Sequence, residues 1–487
     1  MSMENLSRLA APSRFGRVEL LLALGGAAFA IAVGLAAGHP TAATLGPPVL
    51  VIALVGVVTA LLQPFAAYLV VAGSTAFLVI YNLPGNRGLN FFDLLLPPLL
   101  VASVLGTARD RARAADHAVT DPARLEILAA TRRLVVAVLV FYAICWLSLM
   151  GALHAGRVTT VVDGTLSLMR VLQAMLLFPL GLWWFRSERR IHHLFRGIIV
   201  SVVISAIVNV IAIAFFGVKR AGLAWFVNEP VDIIGGPNAI GTTMMFLGVL
   251  LLVRQTLEPR LRNVALFGLV LAMLVLSATR SGLLACTVVA ALLLPRARWG
   301  WVFVGLLMVA VAIPLAPEQY WTRLAHTITL KRGTVETYTT LIRFYSWKVA
   351  LSVFLAHPIL GVGYLGFTNV SGDFGPLRLI GGPAENYLLE TASGTGILGV
   401  VGFLVALVRL FQLGRVVRRH APPGSLAAVM ARHHVPLLIG YLVVSLTGDT
   451  FCGMENVGQL ALWSAMLVRS GLMALENAPV IGSTRPI

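Results

Sequence analysis

Charge is what this chain has least of: Asp, Glu, Lys and Arg make up only 12% of its 487 residues. Soluble domains carry about 25%, so a water-soluble enzyme and a charge-rich disordered segment are both excluded. Cysteine is scarce too. Cys145, Cys286 and Cys452 form no Cys-x-x-Cys and no paired spacing, which excludes a disulfide scaffold and a thiolate metal site. No Walker A or His-Glu-x-x-His motif occurs, so ATP-driven chemistry and zincin-type hydrolysis find no foothold. What the chain has in excess is apolar sequence, 58% of residues with a mean hydropathy of +0.88. That composition specifies an all-α, polytopic integral membrane protein. Its 46 Gly and 24 Pro, spread through apolar runs, predict closely packed and locally broken membrane helices.

Apolar runs at 18–38, 49–62, 65–81, 89–106, 134–153, 165–185, 197–216, 237–253, 264–278, 281–295, 299–316, 391–413, 435–447 and 457–473 predict about 12–14 membrane helices. The first run follows Arg8, Arg14 and Arg17 without a small-residue cleavage site, and reads as a membrane helix rather than a removed leader. Gln63-Pro64 marks a helix break and Pro97-Pro98 a kink. With the N-terminus in the cytoplasm, 25 of the 37 basic residues fall on that one side: Arg8, Arg14 and Arg17, then Arg109 through Arg133, Arg186 through Arg196, Arg254 through Arg262, Arg296, Arg298 and Arg409 through Arg432, and finally Arg469 and Arg485. The net charge of +17, which would signal nucleic acid in a soluble chain, is therefore an insertion signal.

The resulting organisation is a cytoplasmic N-terminus at 1–17, membrane helices with short loops over 18–316, a large outer loop at 317–390, membrane helices over 391–473 and a cytoplasmic tail at 474–487. Loops as long as 317–390 are usually functional. Residues 338–356 inside it are apolar and aromatic but carry Arg343 and Lys348, predicting an amphipathic helix on the outer interface. His357-Pro358 ends it, and GVGYLGF follows as a loop. The pairs His192-His193 and His433-His434 read as solvated residues of basic cytoplasmic loops.

Four places carry candidate chemistry. Arg170, about five residues inside its run and so roughly 7–8 Å from the outer end, either snorkels to headgroups or serves a site. Arg280 sits in a small polar hairpin with Ser277, Thr279, Ser281 and Gly282, which lets a guanidinium point into a cavity. Lys219 and Arg220 precede Gly235-Gly236-Pro237-Asn238, a helix start whose free N–H groups suit an anion such as diphosphate. Glu385 and Asn386 open a further helix, on which Gly394, Gly396 and Gly399 form a small-residue packing face. Glu385 reads as a general base, a solvated cap, or a partner for Arg343 or Arg378.

In this order the segments resemble the O-antigen ligase and polymerase (Wzy-type) superfamily of bacterial membrane glycosyltransferases. The resemblance rests on Arg220 before Gly236-Pro237-Asn238, the Thr-Arg-Ser-Gly hairpin with Arg280, Arg343 and Trp347 running into His357-Pro358-Ile359-Leu360-Gly361-Val362-Gly363-Tyr364, and Asn386-Tyr387-Leu388 followed by Gly394, Gly396 and Gly399. It spans roughly residues 200 to 410 and implies a GT-C-like fold in the bacterial inner membrane with a periplasmic active site. It further implies transfer of a glycan from an undecaprenyl-diphosphate carrier to an acceptor hydroxyl, with neither a metal nor another cofactor.

Arg220 and Arg280 would then stabilise the departing diphosphate, with Arg343, Lys219, Asn238, Asn386, His357 and Arg170 as substrate contacts. Family members commonly carry histidine immediately before the closing asparagine, whereas this chain has Glu385. A carboxylate in that slot can act as base when burial raises its pKa, an effect that neighbouring arginines oppose. His357 and His326 are the other bases at hand. The expected activity is polymerisation of exopolysaccharide or O-antigen repeat units. Ligation of a finished glycan to lipid A core is the alternative, and a lipid-linked oligosaccharide flippase is the reading from another class. Implied partners are the lipid-linked donor, a glycan or lipid A core acceptor, the bilayer, and chain-length regulator and export proteins.

Overall fold

The computed structural model describes residues 63–74, 80–83, 87–89, 96–101, 103, 121–215, 231–232, 237–277, 279–293, 335–374, 383–448 and 451–476. The order is α1 (Pro64–Ser74), β1 (Ile80–Leu83), β2 (Arg87–Leu89), α2 (Pro122–His154), α3 (Val158–Met175), α4 (Leu177–Trp184), α5 (Glu188–Phe215), β3 (Val231–Asp232), α6 (Pro237–Leu257), α7 (Leu261–Ser277), α8 (Arg280–Leu293), α9 (Val335–Ala356), α10 (Phe367–Phe374), α11 (Tyr387–His420), α12 (Leu426–Ser445) and α13 (Met454–Glu476). The architecture is all-α apart from a three-stranded sheet of order β2-β1-β3, in which β1 pairs antiparallel with both neighbours.

Among the described residues, five helical segments are long and apolar enough to cross a membrane: Pro122–His154, Val158–Trp184, Ile240–Leu257, Tyr387–His420 and Leu426–Ser445. The 33 residues of α2 reach about 50 Å at 1.5 Å per residue, well beyond a hydrocarbon layer of about 30 Å. Val136, Leu139, Val140 and Leu147 on α2, with Ile397, Val401, Leu404 and Val408 on α11, are exposed. Uncharged apolar stripes of that length face lipid, since water would leave them unsatisfied. The chain is a multi-pass membrane protein.

Helices α2 and α11 lie antiparallel along their whole length. Glu126 pairs with Arg419 and His420 at one end, the Phe141 and Phe403 rings meet in the middle, and the Ser148 hydroxyl donates to the Gly394 carbonyl near the other end. The end where α2 stops and α11 begins is termed the head, the opposite end the foot. Foot-end contacts join residues of separate basic loops: Arg124 with Glu476, the Arg469 Nε–H with the Phe185 carbonyl, and Arg190 over the Phe65 ring. At the head, β1 and β3 join two loops that the apolar runs place on one side. The ends thus meet as an alternating path requires.

Helix α13 is the hub. It is buried from Met454 to Ala474 at nearly every position and touches α1 to α6, α11 and α12. Gly458, Ser464, Ala465, Ser470 and Gly471 let neighbouring backbones approach it closely. Polar groups tie it sideways. The Tyr441 hydroxyl donates to Gln459 Oε1 at 2.6 Å, and Gln459 Nε2 donates to Thr243 Oγ1 at 2.8 Å.

Several expectations change. The run at 65–81 ends as helix at Ser74, and its last residues enter β1, because Pro84-Gly85-Asn86 just beyond them favour a turn between two strands. His433 and His434 are buried within α12, not solvated, and His193 is buried in α5. Trp463 Nε1 donates to His434 Nδ1 at 2.9 Å. His434 Nε2 then donates to the Leu410 carbonyl at 2.9 Å, so protein partners replace water. Arg170 is the thirteenth residue of α3, about 18 Å from its start rather than one turn inside. The expected spans 18–38, 49–62 and 299–316 lie outside the described residues.

Candidate active site

The head end is built around a helix that is broken on purpose. α11 starts at Tyr387 with Asn386 as its N-cap, the Asn386 Oδ1 accepting from the Leu389 N–H at 3.1 Å. Nine residues later Gly396 adopts φ +65° and ψ −163°, which interrupts the helical ladder. The sequence reads Gly394, Gly396 and Gly399 as a continuous packing face; instead Gly396 is the break and Gly394 is a backbone contact.

The segment after α9 fills that break. Val362 N–H donates to the Ser393 carbonyl at 3.0 Å and Gly363 N–H to the Gly394 carbonyl at 2.9 Å, while Ile397 N–H donates to the Pro358 carbonyl at 2.8 Å. Donors and acceptors freed by the break are thus paired again, which a buried backbone requires. The approach is so close that a Cβ on Gly361 would run into the Gly394 carbonyl and one on Gly396 into the Ile359 carbonyl. Ser148 Oγ lies 2.7 Å from the Leu360 carbonyl and 2.6 Å from that of Gly394, and bridges α2 to both strands of this contact. The Arg157 guanidinium reaches the Val362 carbonyl. Two motifs separate in sequence, His357–Gly363 and Gly394–Gly399, are one structural unit.

At the start of α11 the Arg343 Nε–H donates to Glu385 Oε2 in an ion pair. Glu385 sits at φ +49°, a left-handed conformation disfavoured for a side chain with a Cβ and one that collects at functional sites. The Glu385 side chain is 44% exposed and that of Arg343 26%, so the pair is open on one side. Asn386 is committed to the frame: besides capping α11, its Nδ2 donates to the Leu446 carbonyl at the end of α12.

Arg280 is the first residue of α8 and half-buried. Thr279 precedes it, hydrogen-bonded through Oγ1 to Ser277 Oγ at 3.0 Å and wedged between Gly241 of α6 and Gly282 of α8. A Cβ on Gly282 would lie 2.8 Å from the Gly241 Cα, so the two helices cross almost backbone to backbone. Asn238 is three residues before Gly241. The Pro-Asn helix start and the Thr-Arg-Ser-Gly hairpin, read as separate motifs, therefore open side by side at the head, and two helix N-termini present their positive ends there.

Of the other expected residues, His357 begins the turn after α9, its ring 6.4 Å from that of Phe374. Partial burial, and secondarily the Arg157 guanidinium, hold its pKa below the ordinary 6.5. Arg343 lies in the middle of α9 and His357 just beyond its last residue, about 21 Å apart along the helix, so they do not form one cluster. Arg170 is half-buried within α3. Lys219, Arg220 and His326 lie outside the described residues, as does the side chain of Asn238.

Sequence reasoning misses Glu390, which is 2% exposed and accepts the Ala384 N–H at 2.8 Å. It fixes the loop that presents Glu385. Its place one turn after the Asn386 cap was the available signal. Ser148 was also missed, a serine inside an apolar run with nothing local to mark its two carbonyl partners.

No curated protein matches the chain. A family model does, over residues 265–404, a stretch that holds Arg280, Arg343, His357, Glu385, Asn386 and the α11 break, but not Arg170, Lys219, Arg220 or Asn238. That model describes the O-antigen ligase family, to which this stretch is similar.

Proposed function

We propose that the chain is a periplasmic-face glycosyltransferase that polymerises lipid-linked repeat units of an O-antigen or exopolysaccharide. The observation that carries the reading is the Arg343–Glu385 pair, open to solvent at the start of α11 and inside the matched segment. In the reaction the acceptor hydroxyl oxygen bonds to the anomeric carbon and the bond from that carbon to the undecaprenyl diphosphate breaks. The leaving diphosphate takes the electron pair, and the hydroxyl proton passes to the Glu385 carboxylate. Arg343 orients that carboxylate. Arg280, with Arg220 from the stretch that precedes α6 in the sequence and the N-termini of α6 and α8, offsets negative charge on the leaving group. The apolar stripe of α9, Leu341, Phe344, Leu351 and Leu355, rests on the outer leaflet from which the lipid-linked donor arrives.

The test is transfer by purified protein in vesicles from a lipid-diphosphate glycan, without ATP or an ion gradient. Glu385→Gln is expected to lower transfer about 100-fold or more, and Arg280→Ala by about 100- to 1,000-fold. Full transfer by Glu385→Gln would move the proton to His357. Movement of the lipid-linked glycan across the bilayer without transfer would make the protein a flippase. A second reading, ligation of finished glycan to lipid A core, is favoured by the description of the matching family. A deletion strain separates the two: single lipid-linked repeats accumulate if a polymerase is lost, long unattached chains if a ligase is lost.

A further inference from the structure

At the foot, far from Glu385, a cavity of about 180 Å³ opens between the end of α8, the second half of α11 and the first half of α12. Arg415 and Arg418 on α11 and Arg432 on α12 line it, with Leu292, Val435 and Pro436 as its apolar wall. Arg415 and Arg418 are three residues apart and share a helix face. All three arginines are exposed, and none has a hydrogen bond or ion pair among the described residues. The neighbouring carboxylates are engaged elsewhere, Glu126 with Arg419 and His420 and Glu476 with Arg124. Three guanidiniums around one cavity repel each other until an anion joins them, and their planar donors suit phosphate oxygens.

The cavity also has an apolar exit. Val401, Leu404, Val405 and Val408 form an exposed stripe on α11 that runs from its middle towards Arg415, one and two helical repeats away. A free phosphate would leave that stripe unused, whereas a phospholipid occupies both parts. The geometry points to a binding site for an anionic phospholipid, its headgroup phosphate held by Arg415, Arg418 and Arg432 and its acyl chain laid along α11. The site serves the leaflet opposite the candidate active site, and it stands whether or not the chain transfers glycan. It clamps α8, α11 and α12 at the foot of the same helices whose head ends carry Arg280 and Glu385.

Native mass spectrometry of the full-length protein, titrated separately with phosphatidylglycerol, phosphatidylcholine and inorganic phosphate, tests this. Phosphatidylglycerol is expected to be retained about tenfold or more over phosphatidylcholine, with inorganic phosphate unable to displace it. The combined Arg415→Gln, Arg418→Gln and Arg432→Gln variant is expected to lose that preference. Val435→Trp, which fills the cavity and keeps every arginine, is expected to lose it as well, and covers the case in which the triple variant fails to fold. Equal retention of the two lipids by the unaltered protein, or an unchanged preference in Val435→Trp, overturns the assignment. Displacement of phosphatidylglycerol by equimolar inorganic phosphate would make this a soluble-anion site and overturns the lipid.

Discussion

Gly396 holds a backbone conformation that a β-carbon disfavours, and the Ile359 carbonyl occupies the place where that carbon would stand. Gly396→Ala is therefore expected to cost at least about 1–3 kcal/mol, read as a lower thermal midpoint in detergent and lower membrane abundance. Gly372→Ala, which meets nothing within 4 Å, is the silent control. His357 contributes a pH dependence. Its folded-state pKa lies below 6.5, so its contribution is complete above that value and is lost as pH falls towards the folded one. Lowering pH from about 7 to about 5 is expected to reduce the amide protection factors over 357–366, rates being corrected for intrinsic exchange at each pH, and His357→Gln to flatten the change. The glycines were legible as important from their spacing, and Glu385 with Arg343 from charge alone. The positive φ was not, because the carbonyls that enforce it come from about forty residues earlier in the chain.

At the scale of elements, the clamp between α11, α12 and α13 holds through His434, which accepts from Trp463 and donates to Leu410, with Gly414 pressed against its ring. His434→Leu leaves two buried polar groups without their partner and is expected to cost about 1–2 kcal/mol. Trp463→Phe combined with it should cost less than the two changes apart, in a double-mutant cycle of thermal or denaturant unfolding. Helix positions were readable from hydropathy, yet their ends were not. α2 begins at Pro122 and α12 at Leu426, each some ten residues before its apolar run. Arg132, Arg133, Arg432 and the two histidines look like loop composition, but inside a bundle they continue the helix wherever partners from other helices or the membrane surface receive them. Polar periodicity within one segment carries no record of such partners.

For the whole molecule, the alternating path places the α2–α3 turn and the α11–α12 turn at opposite ends, with the basic residues gathered at the foot. Sidedness is testable with single cysteines in a background that carries Cys145→Ser, Cys286→Ser and Cys452→Ser. Ala155→Cys is expected to react with a membrane-impermeant maleimide on intact spheroplasts, and Pro423→Cys only after permeabilisation. The reverse pattern would invert the molecule and remove the candidate site from the periplasm. Alternation was legible because basic residues recur at every second loop; the sheet joining 80–89 to 231–232 was not, since its pairing joins residues 150–152 apart in the chain, in loops of unremarkable composition. The broken turn of α11 also bears on biosynthesis. The groups that complete it belong to Pro358–Gly363 and to Ser148, all of which leave the ribosome before Gly394. In a nascent chain the residues that complete the break are therefore made before the segment that needs them, so an α11 that forms last meets partners already synthesised.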